Sequence, residues 1–249
     1  MYRTLFGDQE YHHIYNRGAH KSELFKNPRD YSRFLSSIYH FNDINFSPEN
    51  YEYKELTDLT PAKEKRVEMV DLIAWCLMPN HYHLLLRQKT EKGITKFMRR
   101  LGTGYTMYTN IKYKHRGHIF EGPFKSKLVN HDSQLQHLTR YIHLNPLDLH
   151  DQNWRERGIT NMEGGKNFIL KYQWSSLNDY IGNSRFPQLL SPLVKEIVFT
   201  TNSKRYMKFV CEWMTKGLPD FFDTTGLEWW TISLNLKVWS RFAILNKNL

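Results

Sequence analysis

His81 and His83 stand two residues apart in HYHLLLR, a short apolar run that reads as a β-strand. On a strand, residues i and i+2 share a face, so both imidazoles project together while Tyr82 faces away. Two imidazoles on one sheet surface are half of a divalent-metal site; taken alone, the pair reads sooner as two hydrogen-bonded structural histidines. Tyr141 and Asn145 lie four residues apart in LTRYIHLNPL, one turn apart on one helix face. A phenol can attack a phosphodiester to form a phosphotyrosyl ester, which keeps the energy of the broken linkage for later resealing. An amide oxygen from Asn145 would complete a metal site. In isolation Tyr141 reads as a core aromatic, and Pro146 pushes the residue before it away from helical geometry, which would aim Asn145 elsewhere.

Positioning these groups requires a sheet with helices on it. Tyr11 to Asn16 is an aromatic, β-prone stretch stopped by Arg17-Gly18, and the first strand is expected there. A helix follows, with Asn27 as N-cap, Pro28 at the first helical position and an apolar stripe through Tyr31, Phe34, Leu35, Ile38 and Tyr39. Residues 41 to 68 lose periodicity, carry Pro48 and Pro61, and are read as an inserted, peripheral loop. Asp71 to Met78 is a near-continuous apolar run, and Pro79-Asn80 turns it into the histidine strand, giving a central hairpin. A second helix is expected over about 91–111, a fourth strand over His118 to Val129 with a bend at Gly122-Pro123, and a third helix from a Ser133-x-x-Gln136 capping box to Pro146. The order β-α-β-β-α-β-α predicts an α+β fold: a ferredoxin-like split βαβ core with an antiparallel sheet and an extra helix carrying Tyr141. A boundary is expected near 150, with residues 1–150 as a catalytic domain and 151–249 as a mostly helical region holding six of the seven tryptophans.

Composition narrows the partner. The 249-residue chain carries a formal charge of +10, and from Arg87 to Lys127 it has eleven basic residues against two acidic ones, interleaved with aromatics. That combination suits phosphate neutralisation with base stacking, though charge runs alone are usually a solvated helix face. Two cysteines exclude a disulfide framework. No run approaches the roughly 18 to 20 apolar residues of a spanning helix and the opening residues show no signal-peptide pattern, so a cytoplasmic protein without membrane contact is expected.

Together, YHHIYNRG (11–18), AWCLMPNHYHLLL (74–86), GHIFEGPFKSKLV (117–129), LTRYIHLNPL (138–147) and YQWSSL (172–177) resemble the REP-associated tyrosine transposases, single-tyrosine HUH enzymes related to insertion-sequence transposases. The resemblance spans residues 9 to 183. It implies that His81 and His83 bind Mg²⁺ or Mn²⁺, that Asn145 is the third ligand and that Tyr141 is the nucleophile. It further implies single-stranded DNA with hairpin or palindromic repeats as substrate, cut through a 5′-phosphotyrosine. Asn16, Arg17 and Lys125 match regions near bound DNA, and the basic surface adds Lys92, Lys96, Arg99, Arg100, Arg116 and Lys127. Tyr105 and Tyr108 are rival nucleophiles, though neither has an amide one turn later. An HUH replication initiator or relaxase and a non-catalytic hairpin-binding protein are the alternative readings. Monomer and homodimer are both compatible with the sequence, and the insert and the tail beyond about 184 depart from the family pattern.

Overall fold

The computed structural model describes residues 6–47, 49, 66–194 and 203–218. Four strands, β1 (Tyr11–Arg17), β2 (Val70–Met78), β3 (His81–Gln88) and β4 (Lys125–Val129), form one sheet in the order β2-β3-β1-β4, antiparallel at every pairing. With α1 (Pro28–Phe41) after β1 and α2 (Gly93–Tyr113) after β3, this is the split βαβ arrangement expected from the sequence. Phe34 of α1 packs its ring 5.1 Å from Tyr82 and 4.9 Å from Tyr105 of α2, so both helices cover the sheet face that Tyr82 points to.

Local chemistry sets the helix ends. The Asn27 side chain accepts a bond from the Asp30 amide and Pro28 occupies the first turn, as its fixed φ favours. Gly104, in the middle of α2, is required by contact: a Cβ there would lie 2.5 Å from the Phe41 ring, so glycine lets α1 and α2 approach. Their exposed edges are joined by buried Asp30, whose carboxylate accepts from Lys112, Tyr108 and Tyr113.

The opposite face carries α3 (Asp132–Leu144), followed by a 3-10 turn (Asn145–Leu149). The anticipated capping box is absent: the N-cap is His131, without a side-chain cap bond, and Ser133 already lies inside the helix. The fourth strand is also shorter than expected. Phe120 makes only an isolated bridge to Gly18, and regular pairing begins at Lys125, beyond the Gly122-Pro123 bend.

Residues 48 and 50–65 of the insert lie outside the described residues, but its two ends are stapled together. Asn42 accepts from the amides of Met69 and Val70 and donates to the Val70 carbonyl.

Buried hydrophobic residues on both sides of residue 150 belong to one core cluster. Short helices α4 (Trp154–Arg157) and α5 (Met162–Lys171) pack against the helix at Ser203–Lys216, α5 also against the 3-10 turn and α6 (Leu177–Tyr180), and the chain between α5 and α6 covers the open edge of the sheet. Leu77 donates to the Trp174 carbonyl, Ser176 to that of Trp75, and the Tyr172 and Tyr180 hydroxyls to those of Leu77 and Ile73. These bonds satisfy the backbone of an otherwise exposed edge strand. The last described helix, α7 (Ser203–Lys216), grips α3: Arg140 is sandwiched 3.9 Å from the Phe209 ring and 3.7 Å from that of Trp213. Trp229, Trp230 and Trp239 lie outside the described residues.

Candidate functional site

Strand register decides which side chains meet. Across β1 and β3, Arg17 pairs with His81, Tyr15 with His83 and His13 with Leu85; directly paired residues share a face. The face opposite α1 and α2 therefore presents His81, His83, His13, Tyr15 and Arg17. On the other side of β1, Tyr15 pairs with Lys125 and His13 with Lys127, which brings two lysines of edge strand β4 to that same face.

Tyr141 of α3 lands on this surface. Its ring centroid is 5.7 Å from that of His83 and 6.2 Å from that of His13, edge-on to both. The rival tyrosines do not. Tyr105 donates to the Leu24 carbonyl and Tyr108 to Asp30, both in the helix layer on the far side of the sheet.

Asn145 keeps helical dihedrals (φ −50°, ψ −38°) despite the following proline, contrary to the sequence expectation. Its backbone amide bonds to Ile142 in a tightened 3-10 turn, leaving the Tyr141 carbonyl without its usual donor, and the Asn145 side-chain Nδ2 supplies that bond at 2.9 Å. The amide is thereby oriented, and its Oδ1 accepts from Arg155 Nη2 at 3.2 Å.

Arg155 was invisible to the sequence reading, which placed it in a boundary segment. Its guanidinium forms a two-pronged pair with Asp148, with Nε at 2.8 Å and Nη2 at 2.7 Å, and Trp154 Nε1 donates to the same carboxylate at 2.7 Å. The cation sits 5.2 Å from the centre of the Tyr141 ring and hydrogen-bonds the phenol. Burial raises the Tyr141 pKa, and Arg155 opposes that shift by favouring phenolate. Burial acts most strongly against the charge on Arg155, but Asp148 and the Tyr141 phenol together outweigh it and keep the guanidinium ionised. The only sequence clue was Asp148, three residues beyond Asn145, followed by Trp154-Arg155.

Burial lowers the His81 pKa to about 4 and holds His83 well below the ordinary histidine range, so both rings are neutral near pH 7 with a lone pair each to offer. His81 Nδ1 lies 2.7 Å from Asn80 Oδ1, and because an amide oxygen only accepts, the ring proton sits on Nδ1 and Nε2 carries the lone pair. Among the described residues no group of three or more His, Cys, Asp or Glu is arranged to hold a metal. The donor set is instead two neutral imidazoles and an oriented amide oxygen, chemistry that fits a divalent cation.

The remaining residues expected to meet DNA divide by layer. Arg17, Lys125 and Lys127 are on the histidine face, with Arg17 paired to Glu121. Asn16 points to the other face and ties down the loop before β4 by donating to the Gly122 carbonyl. Arg116 is exposed in the loop after α2, whereas Arg99 and Arg100 line a cleft of about 850 Å³ beside α1, with Arg100 donating to the Asp43 carbonyl. Lys92 and Lys96 lie on the first turns of that helix layer. No helix of the described residues is long and apolar enough to cross a membrane.

An antiparallel split βαβ sheet carrying paired imidazoles beneath a helix-borne tyrosine defines the class of the site. Residues 52–145 match the family model described as "Transposase IS200 like", a stretch that contains His81, His83, Tyr141 and Asn145, and this bears out the resemblance to the tyrosine transposases. A solved structure of a REP-associated tyrosine transposase bound to a REP hairpin aligns over 78% of this chain and 92% of that chain, with 13% identity and a TM-score of 0.49. No curated protein matches the chain.

Proposed function

We propose that this protein is a metal-dependent transposase that cleaves and rejoins single-stranded DNA beside hairpins, with Tyr141 as nucleophile. The observation that carries this reading is the meeting of Tyr141 with His83 on one face of the sheet, under the guanidinium of Arg155. The Tyr141 oxygen attacks the scissile phosphorus, the bond from phosphorus to the 3′ oxygen breaks, and the departing strand takes a proton to become a free 3′-hydroxyl. The 5′ end remains as a phosphotyrosyl ester, and a 3′-hydroxyl from another strand reverses the step to join new ends. Arg155, fixed by Asp148, stabilises the oxygen of Tyr141 as it loses its proton. His81, His83 and the Asn145 oxygen would hold Mg²⁺ or Mn²⁺, which supplies Lewis-acid polarisation of the phosphate when bound. Lys125 and Lys127 flank this face and suit the phosphates of the approaching strand. Tyrosine and histidines belong to the same chain, so a monomer contains the whole proposed site.

The test is a labelled hairpin oligonucleotide incubated with the protein and Mn²⁺, then run on a denaturing gel. A covalent adduct is expected from the native protein and none from Tyr141→Phe, with DNA affinity changed less than about twofold because one hydroxyl leaves the basic surface intact. Binding without any adduct would replace this reading with a hairpin-binding module.

A further inference from the structure

The two imidazoles of the pair are not equivalent, and the difference lies in their neighbours. Asn80 fixes the His81 tautomer, since its oxygen can only accept. His83 instead leans on a third histidine. His13, on the adjacent strand and displaced diagonally from His83, places Nε2 at 2.9 Å from His83 Nδ1, with the rings stacked 5.1 Å apart at 21°. Both side chains are buried, and no role has so far been given to His13.

We propose that His13 is a positioning residue that selects the tautomer of His83, and so determines whether His83 Nε2 is available to a divalent cation. This rests on the metal-dependent reading above. A hydrogen bond between two neutral imidazoles holds one proton, in either of two arrangements. When His13 donates, the proton of His83 resides on Nε2, and that nitrogen cannot ligate. When His83 donates from Nδ1, its Nε2 carries a bare lone pair and the proton of His13 moves to Nδ1. His13 Nδ1 has no hydrogen-bond partner among the described residues. The first arrangement therefore buries an unpaired acceptor and the second an unpaired donor, so neither has a fully satisfied His13 to hold it in place. A cation on His83 Nε2 selects the second arrangement without a net change in bound protons. The adjacent histidine thus does for His83 what Asn80 does for His81, but reversibly, as outer partners of metal-binding histidines do in general.

The experiment uses the full chain with ¹⁵N-labelled histidine. Ring nitrogen shifts report the His83 tautomer without metal and with Mg²⁺, and the EPR signal of free Mn²⁺ gives affinity. With Mg²⁺, native His83 should be protonated at Nδ1. His13→Leu removes the acceptor and should weaken Mn²⁺ binding by about 10- to 100-fold. His13→Gln, whose amide oxygen can accept from Nδ1, should restore most of it. His13→Asn, too short to reach, provides a second disrupting variant if His13→Leu does not fold. Unchanged Mn²⁺ affinity and His83 tautomer in folded His13→Leu or His13→Asn would overturn the proposal, as would failure of His13→Gln to restore affinity. If the native protein binds no Mn²⁺, the metal-dependent reading fails by itself. The metal-free tautomers of native and variant proteins still decide whether His13 controls His83.

Discussion

Lowering the pH from about 7.5 to about 5 should destabilise this protein steeply, because folding buries imidazoles that water would protonate. Burial pushes His81 down to about 4 and His13 and His143 down to about 3. The unfolded chain, with histidine near 6.5, binds more protons than the folded one between those values, so stability is complete above about pH 6.5 and is lost as pH falls below it. At pH 5 each group forfeits about 1.4 kcal/mol per pH unit below 6.5, or about 2 kcal/mol, and the three together on the order of 6 kcal/mol. That is comparable with the whole stability of an ordinary domain. Urea unfolding followed by tryptophan fluorescence at several pH values measures it directly. His143 is the cleanest probe, since its ring is not a proposed ligand and spans Tyr206 at 2.7 Å and Ser176 at 2.8 Å. His143→Gln should lower stability at neutral pH yet remove about 2 kcal/mol of the pH dependence. A midpoint that stays flat from pH 7.5 to 5 would refute the reasoning, because it would mean that these rings remain protonatable in the folded state.

Three further outcomes follow from the same geometry. Replacing Lys125 and Lys127 by Ala should reduce the salt dependence of DNA binding by about 0.7 units of slope per lost single-strand phosphate contact; a slope altered only by Arg99→Ala and Arg100→Ala would route DNA across the helix layer. Arg155→Gln should slow adduct formation by on the order of 100-fold, since it withdraws a charged donor from the Tyr141 oxygen, and an unchanged rate measured by quench and gel would remove Arg155 from the chemistry. Asp30→Ala should cost about 1.5–3 kcal/mol in urea titrations, because it leaves the half-buried ends of Lys112, Tyr108 and Tyr113 without their shared acceptor; a loss below about 1 kcal/mol would show that water replaces the carboxylate freely.

The strands and helices that carry His81, His83 and Tyr141 were legible because their signals are local. Alternation puts both imidazoles on one face, the Asn27-Pro28 pair starts a helix, and the β-α-β-β-α-β order restricts the sheet to few topologies. The misread ends have local causes too. Ser133-x-x-Gln136 matches a capping pattern but starts at the second residue of α3, two past the true N-cap, and the Gly122-Pro123 bend delays β4 pairing until Lys125. Polar, glycine-bearing sequence after residue 150 looks the same in a linker and in a segment pinned by side chains onto a sheet edge, so the edge contacts of Tyr172 and Tyr180 had no local signal.

By itself, the sequence determined which chemistry was on offer: two imidazoles in phase on a strand, a phenol and an amide in phase on a helix, and a basic surplus. Only the tertiary structure decided that these meet, that Tyr105 and Tyr108 lie across the sheet from them, and that Arg155, Asp148 and His13 surround them. Periodicity fixes the face on which a residue sits within its own element. Which faces oppose each other depends on strand order and on packing between residues far apart in the chain, and no local pattern encodes those contacts.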